Sequence, residues 1–237
     1  MDPVFSIVIP ARNEENHLPV CLEALKKSLS LVDSSFEIIV VCNRCTDRTA
    51  LIAENEGCRV VDNQDKNLSK IRNAGAALAK GKFIVTVDAD SVVSEKMFAN
   101  ISSSMESTKH IGGGVVILPE RWSLGIFITG LMLLPLALKH MISGGLFFTE
   151  RKSFEEIGGF DPSLVSAEDI DFAKRLKEYG RTQGKKFKIL KKAWIVTSCR
   201  KFDYYGDWYF VLRPWLMRDL LKNRSKAFAD EFWYDFN

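Results

Sequence analysis

Histidine is scarce in this chain: His17, His110 and His140 are the only three. Cys42 and Cys45 have CxxC spacing, but no second such pair and no neighbouring histidine completes a zinc set. The five cysteines are odd in number and irregularly spaced, which excludes a disulfide framework and fits reduced thiols. Charge of one sign is also lacking, since 33 Lys and Arg stand against 30 Asp and Glu. A balance of +3 without a basic stripe argues against a nucleic-acid partner. The most apolar stretch, Ser123–Leu138, is short for a membrane span and is interrupted by Pro135. Neither an internal repeat nor a low-complexity linker divides the chain. No charged leader with a small-residue cleavage site precedes Phe5, so the expected location is cytoplasmic, with the inner membrane face as an extension of it.

What is present reads as a globular α/β protein, 46% hydrophobic and 27% charged over 237 residues. Short apolar runs at Phe5–Pro10, Phe36–Cys42, Arg59–Val61 and Phe83–Val87 predict strands. Helical spacing predicts helices over His17–Leu29, near Thr46–Gly57 and over Leu68–Lys80. Fully apolar strands alternating with helices predict a parallel sheet covered on both faces, which binds ligands at the carboxyl ends of its strands. Three of those ends carry polar clusters: Arg12-Asn13-Glu14, Asn43 to Asp47, and Asp88-Ala89-Asp90. Further on, Gly112–Leu118 and Gly144–Thr149 read as strands and Ser166–Tyr179 as an amphipathic helix. From Phe202 onward the chain holds three of its five Trp and four of its five Tyr.

Two acidic groups carry chemistry. Asp88 and Asp90 follow an apolar strand directly; on an extended segment both point one way and offer hard oxygen ligands for Mg²⁺ or Mn²⁺. A lone pair of this kind is often only an exposed turn, and it is the strand before it that makes a site. Glu168, Asp169 and Asp171 open a helix, with Ser166 expected as its cap and the acids complementing the helix dipole. A helix start is also rigid enough to hold a general base.

Ile7 to Glu14, Ile71-Arg-Asn-Ala-Gly75, Val87-Asp-Ala-Asp90, Gly158-Gly-Phe-Asp161 and Glu168-Asp169 together resemble family 2 glycosyltransferases of the GT-A fold. The resemblance covers approximately residues 4 to 200 and implies a Rossmann-like, mixed but mostly parallel sheet flanked by helices. It implies a domain over 1–200 with a helical, aromatic-rich extension over 201–237. It further implies an inverting enzyme that moves a sugar from a nucleoside-diphosphate sugar to an acceptor hydroxyl. Pro10, Ala11, Arg12 and Glu14 would contact base and ribose, Asn43 would complete the base pocket, and Lys70 and Arg72 would face base or diphosphate. Asp88, Ala89 and Asp90 would hold ribose and metal, Asp169 would be the catalytic base, and Glu168 would touch a sugar.

The sequence departs from that pattern twice. Cys42-Asn43 stands where many relatives carry Asp-Asp, and Asn43 offers both a donor and an acceptor instead. Where many relatives supply a late histidine ligand, this chain has Thr197-Ser-Cys-Arg200-Lys201, so Arg200 or Lys201 is expected to steady the diphosphate as fixed charge. Two rivals remain: a nucleotidyltransferase, for which Pro10–Glu14 lacks a glycine-rich phosphate loop, and an inactive GT-A-like binding or scaffold protein. The acceptor is open, with a lipid-linked or polysaccharide precursor among the candidates. The apolar stretch and aromatic tail fit a peripheral membrane contact about as well as a homodimer interface.

Overall fold

A computed structural model of the chain describes residues 2–140 and 145–216, apart from the side chains of 136–140. The front half alternates as β1 (Phe5–Ala11), α1 (Leu18–Leu29), β2 (Phe36–Asn43), α2 (Thr49–Asn55), β3 (Arg59–Asn63), α3 (Leu68–Ala76) and β4 (Phe83–Val87). Then come β5 (Ser91–Val93), α4 (Met97–Glu106), β6 (His110–Pro119), α5 (Leu124–His140) and β7 (Leu146–Glu150). The chain continues through α6 (Arg151–Glu156), α7 (Glu168–Thr182), β8 (Lys186–Thr197), α8 (Arg200–Tyr205) and α9 (Tyr209–Leu212).

The strands form one sheet in the order β3-β2-β1-β4-β7-β6-β8-β5. β3, β2, β1 and β4 run parallel, as the apolar runs predict, while β7 pairs antiparallel with both β4 and β6. Alternation along each buried strand feeds two cores. Ile7 and Ile9 face the α1 side with Ile38 and Val40, whereas Val8, Ile39 and Val41 face α3. Leu18, Leu22, Leu25 and Leu29 recur at helical spacing and bury one stripe of α1 on the first face. On the second face, a Cβ at Gly75 would lie 2.4 Å from Val8 Cγ1, so only glycine lets α3 press this closely on β1. That contact fixes Arg72, one turn earlier, against the end of β4.

α3 also grips the segment that leads into α7. Asn73 Nδ2 donates to the Phe160 carbonyl at 2.7 Å, and the Phe160 N–H donates to Asn73 Oδ1 at 2.9 Å. Asn67 Nδ2 donates to the carbonyls of Pro162 and Leu164 at 3.1 and 2.9 Å. Gly159, at φ 65°, passes so close to Asn73 that a side chain there would collide with its amide oxygen.

Two local expectations change. Ser166 does not cap α7: the chain enters through Ala167 in the left-handed region (φ 58°), with no side-chain cap, and Ser166 is buried. Asp88 to Asp90 form a turn rather than an extended segment, closed by the Ser91 N–H on the Asp88 carbonyl at 3.1 Å. The strand expected from Gly144 is described from Leu146. Of the extension over 201–237, the residues beyond 216 lie outside those described.

Candidate active site

Two arginines organise the rim where β1, β2 and β4 end. Arg72, 4% exposed, donates from Nη2 to Asp88 Oδ1 at 2.8 Å and from Nη1 to Glu168 Oε1 at 2.7 Å. Its guanidinium lies 5.2 Å from the centre of the Phe160 ring. Burial alone disfavours the cation, but the charges of Asp88 and Glu168 outweigh it and raise the pKa, so Arg72 stays charged. Through this bridge the end of β4 and the start of α7 meet, and three of the expected acidic residues converge.

Asp169 sits beside Glu168, its carboxylate accepting the Ile170 N–H at 2.7 Å. It is half-buried. Burial pushes its carboxyl up to about 6; the charge of Glu168 adds to this, and Arg72 opposes it. A carboxylate with that value is ionised near neutrality yet remains a competent proton acceptor.

Arg200, at the start of α8, donates to Glu14 Oε1 at 2.6 Å and Oε2 at 3.0 Å, and its Nη2 lies 3.4 Å from Asp90 Oδ2. His17 Nδ1 approaches Glu14 Oε2 at 3.0 Å, and the Glu14 N–H donates to Thr49 Oγ1 at 2.8 Å. Burial raises the Glu14 carboxyl and Arg200 pulls it partly back. Burial and then the charge of Asp88 raise Asp90, with Arg200 and Lys201 opposing. Burial lowers Lys201 to about 7 against the pull of Asp90. Asp88 already pairs with Arg72 and Asp90 lies beside Arg200, and the two carboxylates offer oxygen-only ligands of the kind a hard divalent cation takes. Among the described residues no group of three or more His, Cys, Asp or Glu is arranged as metal ligands.

The remaining expected residues fall outside these two networks. Pro10 and Ala11 pair with Val41 and Cys42 at the strand ends, and Ala89 is buried between its two aspartates. Arg12 is half-buried in the loop that follows β1. Asn43, 2% exposed, donates to the Asn63 and Asp65 carbonyls at 3.0 and 2.8 Å, so its amide hydrogens tie β2 to the loop after β3. Lys70 pairs with Asp65 at 3.1 Å. Cys42 and Cys45 hydrogen-bond to each other, which raises Cys42 and lowers Cys45 to about 7. Cys45 Sγ also meets the Ala11 carbonyl at 3.4 Å.

Sequence reasoning missed His17 as a partner of Glu14, although their i,i+3 spacing at a helix start was a readable sign. It also missed Gly145, whose carbonyl accepts the Asp88 N–H at 3.3 Å across the β4–β7 junction.

Comparison with known proteins adds to this geometry. The profile of the family described as Glycosyl transferase family 2 matches residues 6–158. An undecaprenyl-phosphate 4-deoxy-4-formamido-L-arabinose transferase of Proteus mirabilis is 34% identical over 93 residues, 36% of this chain and 28% of its own. The match spans about a third of the length of several curated relatives and 62% of two others. Among solved structures, Staphylococcus aureus TarS 1-349 in complex with UDP-GlcNAc superposes with a TM-score of 0.62 at 17% identity, over 100% of this chain and 71% of that one. The mannosyltransferase PcManGT from Pyrobaculum calidifontis, in complex with GDP-Man and Mn²⁺, gives 0.63 at 16% identity over 98% and 73%. At those identities the likeness establishes the GT-A fold.

Proposed function

The chain belongs to glycosyl transferase family 2, and on that premise we propose that it transfers a sugar from a nucleoside-diphosphate sugar to an acceptor hydroxyl with inversion, using Asp169 as base. The observation that carries the reading is the Arg72 bridge. By holding Asp88 and Glu168 on one guanidinium, it places the raised carboxylate of Asp169 at the same rim as the Asp88–Asp90 turn.

In the reaction the acceptor oxygen attacks the anomeric carbon from the face opposite the diphosphate. Asp169 takes the hydroxyl proton as the new bond forms and the bond from carbon to diphosphate oxygen breaks. No covalent enzyme intermediate is needed. Arg200, and Lys201 when protonated, would offer positive partners to the diphosphate's growing negative charge from beside Asp90. Mg²⁺ or Mn²⁺ held by Asp88 and Asp90 supplies further positive charge to the leaving group when bound; the Mn²⁺ in the PcManGT complex supports this choice. Pro10, Ala11 and Arg12 border the nucleotide, while Asn43 shapes that wall from within. The donor sugars bound to the two solved neighbours support a nucleoside-diphosphate sugar, and the undecaprenyl-phosphate relative supports a lipid-linked acceptor. We read residues 1–200 as the transferase domain and 201–237 as an extension that lends the site its first helix, α8.

Asp169→Asn tests the reading. It should abolish transfer while the protein still shows a nucleotide-dependent rise in melting temperature. Release of pyrophosphate instead of a nucleoside diphosphate would transfer the case to a nucleotidyltransferase.

A further inference from the structure

The strongest feature left unused is the far half of α5. Its first turns are docked: a Cβ on Gly125 would sit 2.5 Å from the Asp207 carbonyl oxygen, and Ile126 and Thr129 are buried. Every residue from Gly130 to Pro135 is exposed, including Leu131 at 56%, Met132 at 39%, Leu133 at 37% and Leu134 at 45%. These four consecutive residues pass around a complete helical turn. A helix meant for a flat protein surface needs one apolar face, whereas one that is apolar on all sides belongs in an apolar medium.

Composition points the same way: between Glu120 and Glu150 the chain has no acidic residue, and Arg121, just ahead of α5, is paired with Asp203 and Asp207. Exposed Trp122 stands near the docked end of α5, and exposed Trp208 and Trp215 flank α9, which packs against α5. Amphipathic aromatic rings of this kind favour the boundary between water and lipid. The 17 residues of α5 reach roughly 26 Å, shorter than a hydrocarbon core of about 30 Å. Among the described residues no helix is long and apolar enough to cross a membrane.

We propose that the Leu131–Leu134 turn of α5 inserts into one leaflet of a lipid bilayer and holds the protein against it. The proposal deepens the reading of a lipid-linked acceptor and rests on it for its purpose. Gly145, whose carbonyl holds Asp88, follows His140 closely in the chain, so the end of α5 lies within about 18 Å of the catalytic rim.

Flotation with vesicles of phosphatidylcholine and phosphatidylglycerol tests this without any sugar transfer. The whole chain should rise with those vesicles. Leu131→Glu/Leu134→Glu should cut the bound fraction at least about tenfold, since two charges enter the inserted turn. Both positions are exposed, so the double variant should melt with the wild type and keep its nucleotide-dependent shift. A wild type that stays below the vesicles, or a double variant that floats equally well, overturns the proposal. So does a wild-type dimer in light scattering that ignores vesicles and dissociates in the double variant, which would assign the turn to a second copy of the chain. None of these outcomes touches the Asp169 test.

Discussion

Glu14 and Arg200, 186 residues apart, share two hydrogen bonds of 2.6 and 3.0 Å in a part-buried pocket. This contact joins the loop after the first strand to the first turn of α8. The Glu14 carboxylate is engaged from two sides, by Arg200 and by His17.

Glu14→Gln keeps the shape and removes the charge that aims Arg200 at Asp90. We expect donor affinity to weaken about tenfold, the loss of one charge-assisted bond. Titration calorimetry with a nucleoside-diphosphate sugar measures it, and unchanged affinity would separate Arg200 from the donor.

Arg72→Ala leaves Asp88 and Glu168 facing each other without a cation. Removing one partner of a buried ion pair costs about 3–5 kcal/mol, so denaturant unfolding should show a loss of that size. Arg72→Lys should recover only part of it, since an ammonium cannot match the planar fork that reaches both carboxylates.

Asp169 makes two statements about pH. As a base with a value of about 6, it predicts a transfer rate that climbs with pH through about 6 and then levels off. For stability the sign is opposite. The folded state holds this proton more tightly than the unfolded one, so the contribution of Asp169 to stability is greatest below about 4 and falls as pH rises through about 6. Asp169→Asn removes that cost and should raise the melting temperature at pH 7 by roughly 2–5 °C, while lowering the rate by at least about 10³-fold. Calorimetry and a steady-state pH profile read the two effects separately.

Cys45, partly exposed and with a thiol near 7, should be the first cysteine to react with iodoacetamide at neutral pH. Burial pushes Cys21 up, to which nearby carboxylates add, and Cys58 is raised to about 11, so both should lag. Peptide mapping after brief alkylation checks the order. Prior nucleotide binding should slow Cys45, because its sulfur touches the Ala11 carbonyl in the proposed nucleotide loop.

The parallel half of the sheet was legible because β1, β4 and most of β2 are buried on both faces and read as apolar runs. Phe83–Val87 matches β4 residue for residue. The other half hid behind different physics. β8 alternates lysines with apolar residues from Lys186, and a register shift beside Lys191 and Lys192 breaks the pattern. β5, three residues long, is defined only by its pairing with β8. The acidic residues of the site were visible as motifs, but their partners were not. Nothing local in Glu14 foretells Arg200, and Ala167 enters α7 in a backbone conformation that its side chain does not favour.

The asparagine grips of α3 on the chain between Phe160 and Leu164 make one short helix responsible for both ends of the chemistry. It carries the arginine that holds Asp88, and it suspends the stretch leading to the base. Damage to α3 should therefore dismantle the catalytic assembly in a single step, with nucleotide recognition and proton acceptance failing at the same dose of denaturant.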